Sequence, residues 1–158
     1  MTEPAKTQGT PATKTAGAVK AGEAGYLFQL QDIAGIESGV GYSSAIGPVV
    51  EGEQIQCGLM RKARGTGARP HSHPNEQWNY VISGKLRVSI EGEEDRIVGP
   101  GTLIYFPANK VHSTVALAEE DVVFFVAKDM SHGIIGNPAD GVRSGAYYEP
   151  GFAPTTKD

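Results

Sequence analysis

The chain has 158 residues, of which 39% are hydrophobic and 20% charged, with a formal net charge of −4. This length and composition predict one folded domain rather than a disordered chain. A net negative charge argues against nucleic-acid binding, and the longest dense apolar run, residues 122–127, is too short to cross a bilayer. The N-terminal residues lack the apolar core of a secretory signal, so we expect a cytoplasmic protein. The single Cys57 excludes a disulfide within the chain and a cysteine-based zinc finger.

The composition changes along the chain and predicts three regions. Residues 1–25 are mainly Thr, Ala, Lys, Gly and Pro, which bury too little surface to offset their ordering entropy, so they predict a disordered tail. Order is expected to begin near residue 26, and residues 26–129 predict a β-barrel domain. The glycine- and proline-rich residues 130–158 predict an irregular segment packed on the barrel, with a disordered end beyond Pro154.

Short segments between glycine, proline or acidic turns predict β-strands through the middle of the chain. No segment has a sustained apolar period of 3.6 residues, so long amphipathic helices are not expected. Many short strands at close spacing favour an all-β sandwich or barrel. The predicted strands are residues 53–61, 77–82, 86–90, 96–98, 102–106, 112–118 and 121–128, the last two forming a hairpin.

Three of the four histidines occupy positions typical of a metal site. His71 and His73 are two residues apart, so on an extended strand both imidazoles face the same side. His112 and Gln77 belong to other predicted strands, and all four side chains can converge on one ion. A purely structural role for the three histidines is less favourable, because burying polar rings without a shared partner costs free energy. The role of His132 stays open between a loop residue, a lid contact and a fifth ligand.

Two stretches resemble the paired motifs of the cupin superfamily. Residues 65–84 resemble the first motif, which is Gly, five residues, His-x-His, three or four residues, Glu, six residues and Gly. Residues 101–112 resemble the second motif, which is Gly, five residues, Pro-x-Gly, two residues and His. The sequence departs from the pattern at three positions: Gln77 stands for the Glu, Asn109 for the Gly of Pro-x-Gly, and Ala116 for a trailing Asn.

The resemblance implies a double-stranded β-helix, or jelly-roll barrel, with a metal inside. It implies one divalent transition metal per chain, Fe, Mn, Ni or Zn, held by His71, His73, Gln77 and His112. The neighbouring Glu76 competes for the fourth position, but adjacent strand residues face opposite sides, and the spacing to Gly84 selects Gln77. A neutral amide in place of a carboxylate leaves the ion nearly its full charge, which favours an anionic substrate or a bound hydroxide.

Further residues are candidates for substrate contact or for assembly. Three residues are catalytic candidates: Asn79, which shares a face with Gln77, and Tyr105 and Arg61 at the barrel mouth. The opposite face of the same strand, Trp78, Tyr80 and Ile82, can pack within the sandwich or pair two copies. Cupins commonly pair through a sheet, so the resemblance implies a homodimer.

The expected function is that of a metal-dependent enzyme acting on a small, anionic or enolisable, oxygen-rich metabolite. Dioxygenase chemistry is slightly preferred, because small cupins with three histidines commonly catalyse it. The alternative is a non-redox isomerase, cyclase or lyase, which the Gln-bearing pattern favours by its resemblance to sugar-acid ring-opening enzymes and polyketide cyclases. A non-catalytic barrel that binds a small ligand is the third alternative. No nucleic-acid or membrane partner is expected.

Overall fold

The computed structural model describes residues 3–155, in which two β-sheets face each other. Within these residues there are fifteen strands and one short 3-10 turn, Leu30–Asp32. The strands are β1 (Val19–Lys20), β2 (Ile36–Glu37), β3 (Ile46–Gly47), β4 (Val49–Glu51), β5 (Ile55–Lys62), β6 (Thr66–Gly67), β7 (His71–Ser72), β8 (Gln77–Ser83), β9 (Leu86–Ile90), β10 (Arg96–Val98), β11 (Leu103–Phe106), β12 (His112–Ala116), β13 (Val122–Asp129), β14 (Asn137–Pro138) and β15 (Tyr147–Tyr148).

The strands form an all-β double-stranded β-helix, as the sequence predicts. The first sheet has the order β1-β4-β5-β13-β8-β11, with β2 and β3 attached through β5. The second has the order β10-β9-β12-β6-β15, with β7 and β14 attached through β12. Each long strand alternates between a buried inner face and a more exposed outer face, which encloses an apolar core between the sheets. No helix in residues 3–155 is long and apolar enough to span a membrane.

The N-terminal segment differs from the predicted disordered tail. Residues 1–2 lie outside the described residues, but Val19–Lys20 pairs in parallel with Val50–Glu51 at the edge of the first sheet. Ala18 and Val19 are buried, whereas Tyr26 and Leu27, where order was expected to begin, are 87% and 95% exposed. Composition predicted disorder here because it does not reveal that Ala18 and Val19, two small apolar residues, are buried at a sheet edge.

The predicted hairpin of residues 112–118 and 121–128 is also wrong. β12 lies in the second sheet and β13 in the first, so the turn between them crosses from one sheet to the other. Each strand pairs with partners that are distant in sequence: β12 with β9, and β13 with β5 and β8. In the sequence, two strands joined by a short acidic turn have the same pattern whether they pair as a hairpin or belong to different sheets.

The C-terminal segment follows the second sheet. Asn137–Pro138 pairs with β7, which carries His71, and Tyr147–Tyr148 pairs with β6, so both C-terminal strands belong to the second sheet. The loop of residues 130–136 contributes the buried Ile134 to the core. The disordered end predicted beyond Pro154 lies mostly outside the described residues.

Motif residues in the turns explain how the histidine strands are held. Gly65 and Gly84 have φ values of +70° and +79°, and a Cβ on either would lie 2.4 Å from a neighbouring atom. Asn109, which replaces a motif glycine, has φ +63°, and asparagine tolerates this left-handed conformation better than most residues. Its backbone N–H donates to the carbonyl of His73 over 2.7 Å, which joins the two motifs.

Candidate metal centre

The three histidines predicted to bind metal come together between the sheets. His71 on β7 lies directly opposite His112 on β12, and His73 follows β7 by one residue. All three side chains are buried, and one ring nitrogen of each lies within 4.8 Å of those of the other two. The sequence therefore predicted the cluster correctly.

Backbone carbonyls fix the orientation of each ring. The Nδ1 atoms of His71, His73 and His112 lie 2.7, 2.8 and 2.8 Å from carbonyl oxygens, those of residues 69, 75 and 110 respectively. A carbonyl only accepts hydrogen bonds, so Nδ1 carries the proton and Nε2 keeps its lone pair. Aromatic packing adds support, since Tyr42 packs against His71 in a tilted arrangement and Phe106 stacks on His112, with centroid separations of 4.4 and 4.2 Å.

Burial keeps these imidazoles neutral. It lowers the pKa of His73 to about 4 and that of His112 to about 3, and it holds the pKa of His71 well below its usual value. Mutual repulsion adds to the effect, because a charged His112 lowers the pKa of His71 further. A neutral imidazole is the form that binds a metal, so no proton has to leave at neutral pH.

The Nε2 atoms fit a metal ion. Those of His73 and His112 are buried and have no hydrogen-bond partner among residues 3–155, although an unpaired buried nitrogen is costly. A cation placed between the three nitrogens would satisfy them together. Three neutral imidazoles suit Zn, Fe, Ni or Cu, so the donor set fits a transition metal without selecting one.

Gln77, rather than Glu76, faces the histidines. Gln77 is buried on the inner face of β8. Its amide nitrogen, Nε2, donates to Oδ1 of Asn79 over 2.7 Å, so the carbonyl oxygen of Gln77 is not used in this hydrogen bond. Glu76 is exposed, and its carboxylate accepts a hydrogen bond from Tyr105. This geometry agrees with the strand-parity argument; ligation of a metal by Gln77 stays a prediction.

Only one of the three predicted catalytic candidates lies in the cavity. Asn79 is buried beside Gln77 and lines it. Tyr105 and Arg61 lie on the outer face of the first sheet, where Tyr105 contacts Glu76 and Arg61 pairs with Asp121. The alternation of each strand points Tyr105 and Arg61 away from the interior, so neither joins the cavity, and a catalytic role for them stays a prediction without support from this placement. His132 lies outside the cluster, with Nε2 3.0 Å from the carbonyl of Ile135.

Two buried lysines line the cavity and were missed by the sequence analysis. Lys62 and Lys128 are 3% and 6% exposed, and burial lowers the pKa of each to about 7. Each lysine continues the inward series of its strand, Lys62 after Gln56, Gly58 and Met60, and Lys128 after Val122, Phe124 and Val126, but parity alone does not say which face is buried. The predicted strand 53–61 ended one residue before Lys62, which hid this relation.

The cavity itself is small and mixed in character. Polar donors from both sheets meet apolar side chains there, and no aspartate or glutamate occurs among its described lining residues. The polar lining comprises Ser38, Tyr42, Ser43, Lys62, His71, Gln77, Asn79, His112, Thr114 and Lys128.

A β-helical barrel with three inward-facing histidines defines a class of metal-binding barrel, and comparison with known proteins identifies the family. Residues 58–128 match the sequence profile described as the cupin domain, so this part of the chain is a cupin domain. That range contains all three histidines of the cluster and both lysines.

Individual relatives are more distant or shorter matches. The chain is 39% identical over 81 residues to oxalate decarboxylase OxdC of Bacillus subtilis (strain 168). This match spans 49% of this chain but only 21% of that protein. The polyketide cyclase RemF from Streptomyces resistomycificus superposes with a TM-score of 0.58 at 19% identity, covering 65% of this chain and 78% of that one. KdgF from Halomonas sp. is 30% identical, with a TM-score of 0.45, over 48% of this chain and 69% of that one.

Proposed function

We propose that this chain is a metal-dependent enzyme acting on a small, anionic, oxygen-rich metabolite. The observation that carries the proposal is the meeting of three buried imidazoles beside a cavity whose described lining holds no carboxylate. Any cation held there keeps its charge, and an acidic oxygen of the substrate is the natural counter-charge. The partial match to an oxalate decarboxylase, a protein named for a small carboxylate, supports the same substrate class.

Different residues of the site would bind the metal and transfer protons. His71, His73 and His112, with Gln77, would hold the metal, which supplies Lewis-acid polarisation of a substrate oxygen when bound. The Asn79 side chain accepts from Gln77 and orients that amide. Lys128, opposite Gln77 on the neighbouring strand, has N–H groups with which to hold or deliver a proton at a substrate oxygen.

Non-redox chemistry, such as isomerisation, cyclisation or carbon–carbon bond cleavage, is the first candidate. The buried lysines favour it, because such reactions need proton transfer beside a polarised carbonyl. Dioxygenase chemistry, slightly preferred from the sequence, is the second candidate, and the three-histidine donor set favours it. Dioxygenase chemistry moves to second place because of the two buried lysines, whose burial the sequence did not predict.

A turnover assay with and without oxygen separates the two chemistries. The protein is reconstituted with Fe, Mn, Ni or Zn and given small keto- and hydroxycarboxylates, while oxygen uptake and product formation are followed. We expect turnover to continue anaerobically and to be lost in His73→Ala. Oxygen consumption in proportion to product would establish the dioxygenase, and tight binding without turnover under any condition would identify a non-catalytic binding barrel.

We also propose, as the sequence predicted, that two copies pair through the outer face of β8 and β11. β11 ends the first sheet, and large apolar side chains there are partly exposed together: Trp78, Tyr80, Ile82, Leu103 and Tyr105. Such a contiguous patch is typical of an interaction surface. Light scattering should give twice the mass of the chain, reduced to one chain by Trp78→Glu and unchanged by Ile97→Glu in the second sheet; a monomeric wild-type protein would contradict the pairing.

A further inference from the structure

Two buried lysines without acidic partners are the unexplained feature of the cavity. Nζ of Lys62 donates to the carbonyl and the hydroxyl oxygen of Thr114, over 2.8 and 2.6 Å. Nζ of Lys128 donates to the carbonyl of Ile134 over 2.6 Å. Among residues 3–155, neither takes part in an ion pair with a carboxylate. Because each ammonium has three N–H groups, Lys62 keeps one and Lys128 two that these contacts do not use.

The two amines enter the cavity from neighbouring strands of the first sheet, β5 and β13. Lys128 lies opposite Gln77 in the first sheet, and its charge lowers the pKa of His73. Lys62 lies opposite Val122, six residues from Lys128 along β13, and crosses the barrel to Thr114 on β12. Both still line the same cavity. A molecule that fills it therefore meets both amines: Lys128 on the side of His73, and Lys62, held by Thr114, within electrostatic range of His71 and His112.

The free-energy cost of burying two ammonium groups makes this arrangement informative. A buried ammonium without a counter-ion loses several kcal/mol of hydration free energy, which hydrogen bonds to neutral oxygens restore in part. Two such groups in a cavity that also holds a cation would add repulsion. The described lining supplies no acid, so an anionic ligand would restore the charge balance and keep both amines protonated.

We propose that Lys62 and Lys128 bind the two acidic groups of a small dianionic substrate, such as a dicarboxylate. One acidic group lies at the histidine cluster, where Lys128 donates to it. The second lies at Lys62, whose ammonium is fixed by Thr114. This inference rests on the proposed function, since it names the substrate class of the same cavity. It makes Lys62 the residue that distinguishes a dianion from a monoanion.

Paired probes that differ in one charge test the assignment directly. Isothermal titration is carried out on the full chain loaded with Zn²⁺, with zinc content measured in every sample. The probes are malonate and succinate, each beside its monoamide, malonamate or succinamate, which replaces one carboxylate by a neutral amide of nearly the same shape. Lys62→Met and Lys128→Met are compared with Lys85→Met, which removes the same charge from the exposed surface.

The wild-type protein and Lys85→Met should bind the better-fitting dianion at least about tenfold more tightly than its monoamide. In Lys62→Met that preference should fall to within about threefold, with monoamide affinity nearly unchanged. In Lys128→Met both probes should bind more weakly, because the group beside the histidines is common to both. Loss of a structural contact alone would weaken both probes equally in Lys62→Met and would overturn the assignment.

Failure of this inference can be told apart from failure of the proposed function. A wild-type protein that holds one zinc per chain but shows no dianion preference overturns the lysine assignment and leaves the metal centre standing. A wild-type protein that holds no zinc overturns both. Where Lys62→Met does not fold, Lys62→Gln replaces it, and the wild-type comparison of each dianion with its monoamide decides the matter without any variant.

Discussion

At the residue scale, the histidines could be predicted from the sequence and the lysines could not. Glycine, proline and histidine spacing places His71, His73 and His112 together, because turns and strand parity act over short distances. Lys62 and Lys128 have no motif, and lysine is rarely buried without a partner, so composition alone places them at the surface. Their burial follows from pairing across β13, which is a property of the whole sheet.

Gln77→Glu tests the consequence of a neutral fourth group. A carboxylate at this position would offset one unit of positive charge at the centre and would attract Lys128, its neighbour across the strands. We expect metal to be retained, while affinity for a carboxylate probe falls by about tenfold or more. Isothermal titration measures this. Glu76→Gln, which changes the adjacent exposed residue, is the control, and equal effects of the two variants would remove Gln77 from the site.

Lys62→Met tests the burial cost of the amine through pH. The folded pKa of Lys62 is about 7 and the unfolded value about 10.5, so the unfolded chain binds more protons between those values. Stability linked to this lysine therefore rises with pH across that interval. In metal-free protein, the variant should be more stable than wild type by about 3 kcal/mol at pH 6, with the gain vanishing towards pH 10.

Denaturant unfolding at several pH values gives this difference, with Lys85→Met as the exposed comparison. A stability difference for Lys62→Met that does not change with pH would mean that the folded protein keeps the amine solvated. The buried position of Lys62 would then be wrong.

At the element scale, most central strands were predicted to within a residue or two, since alternation and turn residues are local signals. β9 and β10 were predicted with their observed bounds. The exceptions depend on long-range contacts: β1 is ordered through β4, and β12 and β13 separate into different sheets. The N-terminal arm, here residues 3–25, also contacts the loop of residues 130–136, because Thr15 hydrogen-bonds to Gln56 and to the backbone of Ile134 in that loop.

Thr15→Val tests whether the arm holds the loop of residues 130–136. The hydroxyl of Thr15 donates to Gln56 and accepts from the N–H of Ile134, and all three residues are buried. Its loss leaves buried polar groups unpaired, so unfolding free energy should fall by about 1–3 kcal/mol. Hydrogen exchange should speed up in residues 130–136. Thr7→Val, which alters an exposed hydroxyl of the same arm, should leave both unchanged, and an unaffected loop in Thr15→Val would show that the arm does not hold it.

At the scale of the whole molecule, the barrel encloses basic side chains, two lysines beside the histidine cluster, although the chain carries a net charge of −4. The acidic residues lie elsewhere, mostly exposed, and the described cavity lining has none. The fold could be predicted because the two motifs impose its turns. The internal charge could not, because it depends on which residues the two sheets enclose together.

Metal stoichiometry tests the central claim most directly. Elemental analysis of the purified chain, reconstituted with Zn²⁺ and freed of excess, should give about one ion per chain. His71→Ala and His112→Ala should lose most of that metal, whereas His132→Ala, which removes the histidine outside the cluster, should keep it. Full zinc content in His71→Ala and His112→Ala, or none in the wild-type protein, would contradict the metal centre.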